Sequence, residues 1–198
     1  MQTPSSTPLV MFGGSRALPS SELGLVSQVV QAALERGFFI SVGCAKGADQ
    51  LALSAVLAAG AADRLSVFAI GSSSGNGFWS GSAPLEVLRA AQAAGASVVW
   101  QAGGSARVPF RARLLRRSLA ALQGAAVACF FLASPSSAGS LNVAAKAAAA
   151  GCQVFAFACG FSGAPAPLSG QAGQWVPGSL ARLTCWRWQP AAVQEPLF

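Results

Sequence analysis

Histidine and tyrosine are absent from the 198 residues, and acids are scarce, with six Asp and Glu against thirteen Lys and Arg. Without histidine, imidazole acid–base chemistry and His-ligated metal sites are excluded. The five cysteines, at 44, 129, 152, 159 and 185, form no C-x-x-C pair. An odd count without paired spacing reads as reduced, mostly buried thiols in a cytoplasmic protein. Charged residues make up 10% of the chain, against a usual share of about 25%. With 53% hydrophobic residues, that excludes a disordered chain. Long apolar runs are missing too: the longest Ala-rich stretch contains Lys146 and Gly151, so no ~20-residue membrane span is expected. Residues 1–8 carry no basic residue ahead of an apolar core, so no secretory signal is expected either.

What is present is arginine. Eleven of the thirteen bases are Arg, Lys46 and Lys146 being the others, and the net charge is +7. Arginine suits bidentate contacts to phosphate and stacking on bases. GC-rich codons also favour Arg, but they leave the scarcity of acids unexplained. The balance favours a polyanionic partner, nucleic acid first.

The length fits one domain at roughly 150 residues per domain, here residues 8–198 behind a loose polar leader at 1–7. Short apolar runs at 9–12, 38–42, 65–70, 98–100, 127–132 and 154–158 alternate with helical patterns at 20–36, 48–59, 84–94, 107–123 and 140–150. Such alternation predicts right-handed βαβ crossovers in a mainly parallel sheet flanked by helices on both faces, an α/β Rossmann-like domain. A Gly/Pro-rich segment at about 160–178 precedes a last strand at 183–188, on which Trp186 and Trp188 share a face. That face suits a sheet flank or a homodimer contact.

Three Gly/Ser loops fall at the carboxyl ends of predicted strands, where ligands of open α/β sheets sit. Gly13-Gly14-Ser15-Arg16 lets backbone N–H groups approach an anion, with a hydroxyl and a cation beside them. Gly43-Cys44-Ala45-Lys46-Gly47 runs straight into a helix whose N-terminus attracts anions, and Asp49 suits its first turn. Residues 134–142, ending in Gly139, Ser140, Leu141 and Asn142, open another helix with Ser140 as its expected N-cap. Between them, residues 71–83 form a small polar loop around an exposed-looking Phe78-Trp79 pair, candidates for base stacking. On a helical wheel Leu115, Leu119 and Leu122 mark the buried stripe of the basic helix. Arg113, Arg116 and Arg117 fall on the solvated side, and Arg111 lies toward the apolar sector, which ranks it first as a ligand contact. Cys44 is the one thiol placed for reactivity.

These segments resemble the Rossmann domain of the DNA-processing protein A (DprA/Smf) family, within the SLOG superfamily. "LVMFGGSR" and "GFFISVGCAKGADQLALSAVL" are similar to its strand–GSR and S-G-x-A-R-G-I-D-x-x-A-H patterns. Ser41, Gly43, Ala45, Gly47, Asp49 and Ala52 match, Lys46 stands for an Arg and Leu53 for the His. "PFRARLLRRSLAAL" resembles F-P-x-R-N-R-I-I-A-G-L-S, with Arg111 and Arg113 as its arginines and Ala112 for the Asn. "SAGSLNVAAKAAAAGCQVFAF" resembles S-G-S-L-x-T-A…G-R-x-V-F-A-V. The Phe78-Trp79 region lacks the family's Y-P-x-x-N pattern, and the length fits a compact, stand-alone SLOG protein. The resemblance implies single-stranded DNA bound in a basic pocket.

The resulting expectation is a non-enzymatic binder that needs no cofactor. Single-stranded nucleic acid, DNA favoured, would be held by Gly13, Gly14, Ser15, Arg16, Gly43, Lys46, Gly47, Arg111, Arg113, Gly139, Ser140 and Asn142. The alternative is a SLOG-type sensor of a nucleotide or nucleotide-derived ligand. A Lonely Guy-like nucleotide phosphoribohydrolase is disfavoured, because the loop that would carry that family's Glu ends in Asn142, and an amide is no general base.

Overall fold

The computed structural model describes residues 8–191; the expected leader at 1–7 lies outside them. The six apolar runs become β1 (Leu9–Gly14), β2 (Phe39–Val42), β3 (Leu65–Phe68), β4 (Ser97–Val99), β5 (Val127–Leu132) and β6 (Gln153–Ala158). Between them run α1 (Leu23–Glu35), α2 (Ala48–Ala58), α3 (Leu85–Ala93), α4 (Phe110–Leu122) and α5 (Ala138–Ala149). Two antiparallel strands, β7 (Gly173–Leu180) and β8 (Leu183–Pro190), complete an eight-stranded sheet of order β4-β3-β2-β1-β5-β6-β8-β7. The first six strands are parallel, and β8 joins β6 antiparallel through Phe155↔Arg187 and Ala156↔Trp186. This is the expected Rossmann-like α/β architecture.

The strands are near-continuously apolar because both faces are covered. On one face Val10, Phe12, Ile40, Val42, Phe131 and Phe157 pack with Val26, Val30, Leu53 and Val56 of α1 and α2. Phe12, Phe131 and Phe157 stack in a row across β1, β5 and β6, at centroid distances of 6.2 and 5.0 Å. On the other face Met11, Phe130, Leu132 and Val154 meet Ala121 and Leu122 of α4 and Leu141 and Ala144 of α5.

The segment expected to be a Gly/Pro-rich connection contains β7. Its two glycines and Pro177 read as turn residues, but pairing with β8 overrides that local preference, and proline is tolerated on an edge strand. Trp175 meets Trp188 edge-on at 5.3 Å, and its indole N–H donates to the Ala166 carbonyl at 3.0 Å. Trp186 and Trp188 do share a face, and they join the α4–α5 side of the sheet rather than a free surface. The hairpin tip, Leu180 and Leu183, joins the α1 side, where no helix follows β6.

Three helix starts differ from expectation, and that of α4 falls at Phe110 rather than at residue 107. A 3-10 turn, Ser20–Glu22, precedes α1, which begins without a side-chain cap. Helix α5 starts at Ala138 with Ser137 at its N-cap, so Ser140 sits in the first turn instead.

Candidate nucleic-acid interface

The chain leaves β1 toward β2 on one side, and the strand on its other side is β5. The crevice outside the carboxyl ends of β1 and β5 is therefore the topological switch point of the sheet. The glycines of β1 end there in close approach: a Cβ on Gly14 would collide with the Phe131 carbonyl of β5. The Ser15 N–H donates to that carbonyl at 2.7 Å. Its Oγ accepts the Ala133 N–H at 2.8 Å and lies 3.2 Å from the Ser137 hydroxyl. Ser137 in turn donates to the Ser134 carbonyl at 3.0 Å. The first and third loops are thus tied by hydroxyls at the N-terminus of α5. There the N–H groups of Ala138, Gly139 and Ser140 have no acceptor within the helix.

The second loop is tied to the first. Gly47 adopts φ +78°, and a Cβ there would strike the carbonyls of Ser15 and Arg16. The Ala48 N–H donates to the Ser15 carbonyl at 3.1 Å, so α2 also begins at the crevice. The Lys46 N–H donates to the Gly81 carbonyl and the Ala83 N–H to the Cys44 carbonyl, both at 2.8 Å, which brings in residues 71–83. The structure therefore gathers Gly13, Gly14, Ser15, Arg16, Gly43, Lys46, Gly47, Gly139 and Ser140 at one edge, with the Arg16 and Lys46 side chains exposed. Arg111 and Asn142 are exposed on α4 and α5.

Four expectations are corrected. Arg113 and Arg117 are not on a solvated face: they are 7% and 6% exposed, while Arg111, expected toward the apolar sector, is exposed with Arg116. The buried stripe runs through Arg113, Arg117 and Ala121, one helical turn apart, because polar partners lie beneath it. Arg113 Nη2 donates to the Ile70 carbonyl at 2.7 Å and approaches the Gly77 carbonyl at 3.4 Å. Arg117 Nη1 donates to Asp49 Oδ2 at 2.8 Å. Asp49, expected only to complement the α2 dipole, is thus half of a buried ion pair.

Phe78 and Trp79 are half-buried rather than exposed. The Phe78 ring occupies the space a Cβ on Gly71 would need, and both side chains pack against the α1-side core. Trp79 meets Phe110 edge-on at 5.3 Å, and its indole N–H is buried without a partner among the described residues. Small residues made the loop look open, yet they are what lets the rings fold down.

Cys44 is buried, and its sulfur accepts the Ile70 N–H at 3.3 Å. Burial pushes its thiol pKa up, and the nearby Arg117 cation only partly offsets that. A thiol in this setting is inert, not reactive.

A scan against models of known protein families finds no match, and neither does a search of curated proteins. Among solved structures the chain is similar to DNA processing protein A (DprA) from Streptococcus pneumoniae, with a TM-score of 0.57 and 22% identity. The fold is DprA-like. The likeness covers 76% of this chain and 50% of that protein, so the chain spans about half the length of its structural neighbour. Among the described residues no helix is long and apolar enough to cross a membrane.

Proposed function

We propose that the protein binds single-stranded nucleic acid, DNA foremost, along the crevice at the carboxyl edge of β1, β2 and β5, without chemistry on it. The observation that carries this reading is the convergence of three loops and two helix N-termini on one edge, with Arg16 and Lys46 exposed above them. Helix N-termini and backbone N–H groups favour phosphate oxygens, and the two cations supply charge. Arg111 extends the basic edge along α4, whereas Arg113 serves from beneath as a support for the 71–83 loop. Phe78 and Trp79 wall the crevice with their packing rather than offering open ring faces. The fold shared with DNA processing protein A and the +7 charge support the same direction.

The test compares a fluorescent single-stranded 20-mer, the matching duplex and free nucleotides, each titrated across a salt series. The single strand is expected to bind most tightly, with log K falling against log salt at about −0.7 per phosphate contacted. A second reading, a sensor of one small nucleotide, draws on the Ser15–Ser137–Ser134 hydroxyl cluster at the start of α5, where hydroxyls and helix N–H groups suit a phosphate. Saturable nucleotide binding that raises the melting temperature, with no binding of the 20-mer, would favour that sensor.

A further inference from the structure

The loop that carries Lys46 is held by an ion pair that never reaches the surface. Asp49 Oδ2 accepts two hydrogen bonds, from the Ala45 N–H at 3.1 Å and from Arg117 Nη1 at 2.8 Å. Ala45 directly precedes Lys46, so the carboxylate closes the loop back onto the first turn of α2 while the guanidinium fixes the carboxylate. The guanidinium has room because residue 43 is glycine: a Cβ there would overlap Arg117 Nη1 and Asp49 Oδ2. Gly43, Asp49 and Arg117 thus form one arrangement, tying α4 to the second loop from beneath. Both charged residues are more than nine-tenths buried, which leaves the pair little screened by solvent.

We infer that Arg117 is a positioning residue for the nucleic-acid site: through Asp49 it fixes the backbone at Ala45 and so aims Lys46, without touching the ligand. The inference rests on the binding role proposed above, but it has a readout of its own. With Arg117 gone, Asp49 Oδ2 is free to leave the Ala45 N–H, and the Lys46 loop keeps only its backbone ties to Gly81, Ala83 and Ser15. Arg113, one turn earlier, is the parallel support for the neighbouring loop through Ile70 and Gly77.

The experiment compares wild type, Arg117→Gln, Arg117→Lys and Lys46→Ala for binding of a 20-mer oligothymidylate across a sodium chloride series. Hydrogen exchange at the Ala45 amide is followed in the free proteins. Arg117→Gln is expected to bind about tenfold more weakly at every salt concentration with an unchanged log–log slope. Its Ala45 amide should exchange faster while the β1 and β5 amides stay protected, and Arg117→Lys should recover part of both. Lys46→Ala should instead flatten the slope by about 0.7. Should Arg117→Gln fail to fold, the neutral pair Asp49→Asn/Arg117→Gln avoids leaving a lone buried carboxylate and is expected to show the same loss. The inference is overturned by a slope loss of about 0.7 in Arg117→Gln, which would make Arg117 a phosphate contact. It is equally overturned by wild-type affinity and a protected Ala45 amide. If wild type binds no oligonucleotide, the binding role fails, and exchange at Ala45 still decides whether the pair holds the loop.

Discussion

Gly47 joins two loops by having no side chain. Its φ of +78° and the carbonyls of Ser15 and Arg16 against its Cα leave no place for a Cβ. Gly47→Ala is expected to cost on the order of 1–3 kcal/mol in urea unfolding and to weaken binding, because the first and second loops must part. Cysteine reactivity follows burial in the same way. Cys152 is half-buried and donates to the Ala125 carbonyl, whereas Cys44, Cys129, Cys159 and Cys185 are buried. Iodoacetamide under native conditions is therefore expected to label Cys152 first, with peptide mass mapping as the check. Rapid labelling of Cys44 would contradict the packing described for its loop. The glycines and Ser15 were legible as a tight loop at the carboxyl end of β1 because their chemistry is local. The Asp49–Arg117 pair was not, since 68 residues separate its members and nothing local announces the contact.

At the scale of elements, α4 presents two kinds of arginine. Arg111→Ala is expected to change stability by less than about 0.5 kcal/mol, since the side chain is exposed, and to reduce the salt slope of binding by about 0.7. Arg113→Met is expected to lower stability by about 1–3 kcal/mol, because the Ile70 carbonyl loses its charged donor. Denaturation of the two variants side by side distinguishes them. The helical wheel misassigned this helix for a physical reason: charged residues are almost never buried unless paired, and the partners belong to other elements. The strands β1, β2, β5 and β6 were legible because burial on both faces leaves a near-continuous apolar run. Strand β7 was not, because its residues form a strand only against β8, and Trp175 packs only once Trp188 is beside it. Trp188→Ala is expected to cost about 3–5 kcal/mol and to loosen the hairpin from the sheet.

Over the whole molecule, the sheet order sets where a ligand can sit, and charge sets what kind of ligand the proposed site would take. The reversal of strand order at β1, whose parallel neighbours β2 and β5 lie on opposite sides, creates the crevice, and Asp49, paired with Arg117, puts little acidic opposition beside the flanking loops. Thiol burial adds a pH dependence. All five thiols are pushed up from an ordinary pKa of 9.0, mainly by burial, Cys159 to about 11. A raised folded-state pKa means that the unfolded chain loses its protons first. The contribution is fully present below about pH 9 and is lost as pH rises through the folded values. Stability is therefore expected to fall between about pH 9 and 11. The most direct test of the binding crevice measures anisotropy of a labelled single-stranded 20-mer against sodium chloride, for wild type and Arg16→Ala/Lys46→Ala. Tight, salt-sensitive binding by wild type is expected, with a slope smaller by about 1.4 in the double variant, two contacts at about 0.7 each. Binding that is flat in salt, or a double variant indistinguishable from wild type, would contradict it.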